Sequence, residues 1–374
     1  MAELNLTLKG FLIRKTWIVA PLTVVVALLT GWAALAASPC ANALAQRAVC
    51  VAANRRALEI MSAYQLEAVT VVQDVRTGAV VAFAASQPSE VDVATPISPL
   101  SLSKLWLAAS WWDNRQPDSN FNSTKGTGNA QNPNRQSGLS VHEILVGGND
   151  FAGKRMAVAL RKSIGTKTAL EDFKRYGFGP RTSSPRDETF WDELAPAWKT
   201  RLLPASAYVA LDDETKDEEW AEALSIGEID TRVTALHVSR FLQAIGNDGV
   251  MLPPGAREEE STPRRENSIR VMRESTARRL QSAMRDCVQR GTARSIARAL
   301  ENTGWQIGGK TGSGTALLPN GSQIDGWFAG LIFDPERTAR FTVATFVRSG
   351  GHGGENAAKI SAELARFLIS ETAR

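Results

Sequence analysis

Gly308-Gly309-Lys310-Thr311-Gly312-Ser313-Gly314-Thr315-Ala316 sets one lysine and three hydroxyl side chains among glycines. Glycine lets a backbone edge lie close to a ligand, and a lysine followed by hydroxyl residues can hold a carboxylate. Trp305, Ile307 and the apolar run after Asp325 flank the motif as strand segments, which puts it on a sheet edge facing a cleft. Lys310, Thr311, Gly312 and Ser313 are therefore the candidate substrate-binding residues. Glycine-rich strands are common, so the reading gains force only if a nucleophile lies elsewhere in the chain.

Upstream, Ser101-Leu102-Ser103-Lys104 follows Pro99 and opens the apolar segment Leu105 to Ala109. Proline and serine suit a helix entry. A serine and a lysine three residues apart then share one helix face. The pairing places an amine beside a hydroxyl, and a buried lysine of lowered pKa can activate a serine. A helix N-terminus adds N–H groups near a developing oxyanion. Taken alone, the tetrad reads first as a plain helix start with a solvated lysine, since S-x-x-K arises often by chance.

An S-x-x-K tetrad with a later K-T-G resembles the penicillin-binding protein transpeptidase family of the serine β-lactamase and D,D-peptidase superfamily. The resemblance runs from about Leu66 to the C-terminus. Ala68 to Ala82 looks like the family's opening hairpin, and Ala223-Leu224-Ser225-Ile226-Gly227 like the segment before its long central helix. Asn247-Asp248-Gly249-Val250 looks like that helix's exit, Gly291-Thr292-Ala293 like a recurrent element before the lysine motif, and Asp325 to Gly330 like the strand after it. The implied fold is α/β of the α+β kind: a five-stranded antiparallel sheet flanked by helices, with a second, helical lobe. The sheet strands fall near 69–75, 79–84, 305–315, 326–333 and 341–347, and a helix over about 356–370 covers the sheet with Ile360, Leu364, Phe367 and Leu368.

The resemblance also implies chemistry. Lys104 takes the proton of Ser101, which attacks the carbonyl between the terminal D-alanines of a peptidoglycan stem peptide. The N–H groups of Ser101 and Ser313 form an oxyanion hole, and Lys310, Thr311 and Ser313 bind the terminal carboxylate. An amine acceptor gives a cross-link and water gives carboxypeptidase action; a β-lactam acylates Ser101. The family's third motif, S-x-N, is best matched by Gly147-Gly148-Asn149. On that alignment Asn149 contacts Lys104 and orients the substrate, while Gly147 cannot supply the serine hydroxyl that passes a proton. A water, Ser110, Ser137 or Ser140 would have to substitute. Gly147-Gly148 is equally a plain loop pair.

Lys9, Arg14 and Lys15 precede an uncharged apolar run over 17–37, long enough to cross a bilayer. Basic residues before it point to a cytoplasmic N-terminus and an extracytoplasmic remainder. The expected organisation is a tail over 1–16, a single-pass anchor in the cytoplasmic membrane over 17–37, a helical stalk over 38–65 and the transpeptidase domain over 66–374. A cleaved signal peptide, cut near Ala36 or Ala45, is the rival. Cys40 and Cys50 can close a short loop in the stalk, and Cys287 reads as a buried thiol.

With 43 Lys and Arg against 39 Asp and Glu, the chain is mildly basic, but the charges are mixed and no nucleic-acid motif occurs. His142, His237 and His352 are far apart and no metal-ligand spacing is present, so neither metal nor cofactor is expected. Expected partners are stem peptides, β-lactams and other cell-wall synthesis proteins. Three readings stay open beside the transpeptidase: a serine β-lactamase of the class D type, a hydrolytic D,D-carboxypeptidase, and a non-catalytic peptidoglycan or β-lactam sensor. A class A β-lactamase lacks its E-x-x-x-N loop here.

Overall fold

The computed structural model describes residues 44–86, 95–123, 138–179, 207–252, 268–318, 321–352 and 355–372. The expected tail, the apolar run and Cys40 lie outside them, as does the side chain of Cys50. Among the described residues no helix is long and apolar enough to cross a membrane.

In chain order the elements are α1 (Leu44–Ala63), β1 (Ala68–Gln73), β2 (Val80–Ala85), a 3-10 turn (Leu100–Leu102) running into α2 (Ser103–Asp113), α3 (Val141–Gly147) and α4 (Asp150–Arg175). There follow β3 (Tyr208–Val209), α5 (Asp217–Ala221) with a π-helical extension (Glu222–Ile226), β4 (Thr231–Arg232), α6 (Ala235–Gly246), β5 (Val250–Met251), β6 (Ile269–Arg270) and α7 (Glu274–Arg290). The chain ends with β7 (Gln306–Leu318), β8 (Gly321–Phe333), β9 (Ala339–Val347) and α8 (Asn356–Thr372). The main sheet has five strands in the order β2-β1-β9-β8-β7, every pair antiparallel. The strands run as expected, with β7 continuing to Leu318 and β8 starting at Gly321.

One face of the sheet is closed by α1 and α8, through Ala53, Ala57, Ile60 and Met61 on the first and Ile360, Leu364, Ala365 and Leu368 on the second. The expected stalk is thus helical, but its second half belongs to the domain core. Alanines at 53 and 57 let that helix lie flat on the sheet, which a free stalk has no need to do. Between strands and helix, Thr70 and Ser361 bond the Thr345 hydroxyl at 2.9 and 2.8 Å, which satisfies polar atoms in an apolar layer.

The helical lobe is built round α2, whose residues Ser103 to Trp112 are all buried. A helix apolar on every side must sit at the centre of its lobe. Trp106 there stacks on His237 (5.8 Å between centroids) and meets Phe178 and Phe241. Burial holds the His237 imidazole far down, at about 3, and a nearby Arg240 charge adds to this. The ring must charge on unfolding below its ordinary value of about 6.5, so its contribution is complete above that pH and is lost as pH falls towards 3. Thermal melts of the wild type should therefore drop more steeply between pH 6.5 and 4 than those of His237→Gln.

Candidate active site

Ser101 sits in the 3-10 turn rather than in the regular helix. The residue before it, Leu100, has φ +55°, an unusual conformation for a branched side chain. The turn is held from both sides: Leu100 N–H donates to Gly227 O at 3.3 Å, and the Trp327 indole donates to Ser98 O at 2.9 Å. Gly227 has φ +72°, and a Cβ there would lie 2.6 Å from Leu100 O, so only glycine fits. Trp327→Phe should keep the ring in place but free Ser98 O, costing about 0.5–1.5 kcal/mol in urea unfolding and slowing any reaction at Ser101.

Lys104, one turn on, is completely buried. Its Nζ lies 3.0 Å from Ser101 Oγ, 2.8 Å from Ser225 O and 2.8 Å from Asp150 Oδ1. Burial pushes the ammonium down to about 8; the charges of Lys310 and Lys154 act the same way, and the Asp150 carboxylate opposes them. Gly153 on α4 makes this approach possible, since a Cβ there would meet Ser225 Oγ at 2.3 Å and Lys104 Cε at 3.0 Å.

The glycine-rich strand β7 closes the other side. Lys310, Gly312 and Gly314 alternate onto one face. A Cβ on Gly312 would stand 3.1 Å from Pro99 O, and one on Gly314 would strike Leu100 Cδ2 at 2.3 Å. These glycines let the strand, which is the edge of its sheet, run directly along the Ser101 turn. Lys310 is buried and donates to Thr311 O at 2.9 Å. Burial lowers its pKa too. Thr311 shares a 2.6 Å hydroxyl contact with Thr292, whose N–H donates to Val146 O at 3.2 Å and whose hydroxyl lies 3.3 Å from Cys287 Sγ. Beyond Gly314 opens a cavity of about 300 Å³ lined by Ile97, Leu100, Glu228, Arg232, Asp325 and Arg348.

A buried lysine on a serine, beside a lysine–threonine–glycine edge strand, joins two motifs far apart in sequence into one cleft. The profile of the family described as "Penicillin binding protein transpeptidase domain" matches residues 68–368. The chain belongs to that family. It is similar to penicillin-binding protein PbpB of Mycolicibacterium smegmatis, 28% identical over 233 residues that cover 56% of this chain and 33% of that protein. PbpB of Mycobacterium tuberculosis is 26% identical over 233 residues, 56% of this chain and 31% of that one. The chain thus spans about a third of the length of these relatives. The apo transpeptidase domain of penicillin-binding protein 3 from Burkholderia pseudomallei has the same fold, with TM-score 0.63 and 18% identity, over 86% of this chain and 93% of that one. So does penicillin-binding protein 3 of Mycobacterium tuberculosis complexed with aztreonam, with TM-score 0.62 and 20% identity, over 87% of this chain and 78% of that one.

At the third motif the contact to Lys104 comes from the residue after Asn149. Asn149 does not contact Lys104: its Oδ1 accepts from Ala152 N–H at 2.8 Å as the cap of α4, and its Nδ2 donates to Ser123 O at 3.3 Å. Asp150 reaches Lys104 instead. Likewise, a Cβ on Gly147 would meet nothing within 4 Å, whereas one on Gly148 would lie 3.5 Å from Lys310 Nζ and 3.4 Å from Thr292 Cγ2. Of the two glycines, Gly148 is therefore the one that faces Lys310. Its left-handed backbone (φ +68°) ends α3 and swings Asn149 out to cap the next helix. Neither named substitute fills the space: Ser110 is buried against Asp172, and Ser140 caps α3 through Glu143 N–H. Ser137 lies outside the described residues. Thr292, Ser225 and Asp150 are the site residues not assigned from sequence; the first two stand inside segments already matched to the family.

Proposed function

We propose that the protein is a serine acyltransferase of peptidoglycan synthesis, a D,D-transpeptidase that also reacts with β-lactams. The observation that carries this is the buried Lys104 amine at 3.0 Å from Ser101 Oγ in a penicillin-binding transpeptidase domain. Lys104 in its neutral form takes the Ser101 proton as Oγ bonds to the carbonyl carbon of the penultimate D-alanine. The carbon–nitrogen bond breaks, the proton goes to the departing D-alanine amine, and an ester on Ser101 remains. The N–H groups of Ser101 and Ser313 are the proposed oxyanion donors. Thr311 and Ser313 contact the substrate carboxylate. Lys310, beneath the strand, supplies positive charge rather than a direct contact. Asn149 has a supporting role as the cap of α4. An amine from a second stem takes the acyl group.

The uncharged run over 17–37 supports an anchor in the cytoplasmic membrane, with the domain on the extracytoplasmic side. Neither Gly147 nor Gly148 offers a hydroxyl as a proton route, which argues for a slower enzyme; the intact Ser101–Lys104 contact argues against a binding-only sensor. Incubation with a stem pentapeptide and an acceptor stem, read by mass spectrometry, tests the assignment. Loss of D-alanine with a cross-linked dimer supports a transpeptidase. Loss of D-alanine with tetrapeptide alone means a carboxypeptidase, and retention of both D-alanines contradicts both.

A further inference from the structure

We propose that Asp150 is a positioning residue that fixes the orientation and the charge of Lys104, and so makes acylation of Ser101 accelerate towards alkaline pH. This rests on the reading of Ser101 as nucleophile and Lys104 as its base.

The geometry round Nζ carries the inference. Two of its three neighbours, Ser225 O and Asp150 Oδ1, can only accept hydrogen bonds while the carboxylate is ionised. A neutral amine has two N–H donors and one lone pair, and an ammonium has three donors. In either state two hydrogens are committed to Ser225 and Asp150. The remaining tetrahedral position faces Ser101 Oγ, holding a proton in the ammonium and the lone pair in the amine. The only proton Lys104 can exchange without breaking a bond is therefore the one shared with Ser101. A side-chain amide at position 150 can instead turn its N–H towards the lone pair and let the neutral amine rotate away from Ser101.

Charge follows the same logic. Lys310 from β7 and Lys154 from α4 disfavour the ammonium, although Lys154 is itself paired with Glu222 of the π-helical segment. The Cys287 thiol of α7 lies beyond Lys310. On α3 and α7, His142, Glu143, Asp286 and Arg290 form a network of their own. At the far end of α2, Asp113 pairs with Arg273, and Asp172 pairs with Arg175. Among the described residues, Asp150 is the carboxylate in contact with Lys104. Its side chain is 56% exposed, so its field is partly screened yet open to the cleft. Burial and the two lysines favour the amine, and Asp150 alone in the immediate shell favours the ammonium. The balance, at about 8, leaves most of Lys104 charged at neutral pH and waiting to lose a proton before it can act.

In the step itself the proton moves from Ser101 Oγ to Nζ, the Oγ–carbonyl bond forms, and the carbonyl–nitrogen bond breaks. The proton then goes to that nitrogen, which stays tethered when it belongs to a β-lactam ring. Asp150 keeps its charge throughout and stabilises the transient ammonium.

The test is the second-order rate of labelling by a fluorescent penicillin between pH 5.5 and 10, for wild type, Asp150→Asn and Asp150→Ala, with thermal melts. Asp150→Asn is close in shape, and the cap of α4 is Asn149, so the helix start is retained. The wild-type rate should rise through a midpoint near 8. Both variants should show a lower midpoint and, at pH 6.5, run closer to their own plateau by a factor on the order of 10. The lysine resonance of isotopically labelled protein, titrated without β-lactam, should move the same way. Unchanged midpoints with only a lowered plateau would reduce Asp150 to a packing role and overturn the proposal. Absence of labelling in folded wild type at every pH would overturn the acyl-enzyme reading itself, and this proposal with it.

Discussion

Ser101→Ala should leave a folded protein that forms no covalent adduct with a penicillin. Ser101 is not a core residue: it sits half-buried in the 3-10 turn, and its hydroxyl has one described partner, Lys104 Nζ. Its loss should move thermal stability little, because the turn is held by Leu100 N–H, Trp327 and Gly227 rather than by the serine side chain. Among the described residues no other hydroxyl bonds Lys104 Nζ. Ser225 Oγ is packed near the Lys104 stem, fully buried, and Ser103 Oγ donates to Leu100 O at 2.8 Å on the inner side of the turn. Adduct formation by the variant, read from intact mass, would place the nucleophile elsewhere.

Lys104→Met should slow acylation by roughly 10²–10⁴-fold, the usual contribution of a general base. Methionine matches the length of the lysine stem in a site where Gly153 allows little spare volume. Ser225 O would lose its donor, at a cost of about 1–3 kcal/mol, while burial of a charged group is relieved, so the two effects on stability oppose each other. The signature of a lost base is a labelling rate that no longer climbs through the pH range in which wild-type Lys104 titrates. Labelling at the wild-type rate and pH profile would exclude Lys104 from the reaction.

Most of the fold is legible in the sequence because its strands are apolar and punctuated: Asp334-Pro335 and Pro319-Asn320-Gly321 mark the turns between long runs of Val, Ile and Phe. The C-terminal helix follows from the spacing of Ile360, Leu364 and Leu368, all buried on the sheet. Ser101 and Lys104 are legible for a local reason, since three residues along one turn fix their separation. Lys310 is legible as a motif, but not its burial, which depends on the loop at Gly148 folding over it from another part of the chain. That Asp150 rather than Asn149 meets Lys104 has a physical cause. A left-handed glycine turn shifts which side chain faces inward, and Asn149 and Asp150 are both plausible helix-start residues. Helical spacing does not separate the two, because Ala152 and Met156, three and seven residues after Asn149, are buried just as Gly153 and Ala157 after Asp150 are. The inner face of α1 does carry a helical spacing, Ala53, Ala57, Ile60 and Met61, but its first two positions are alanines, which do not mark a core face in sequence.

The central claim is that Ser101 carries an acyl group. The most direct test incubates the full chain, solubilised, with a penicillin, follows intact mass over hours, and maps the modified peptide. The account predicts a lasting adduct of one penicillin on Ser101. An adduct that forms and clears within seconds would make the protein a β-lactamase instead, and a folded protein that gains no mass would contradict the acyl-enzyme mechanism altogether.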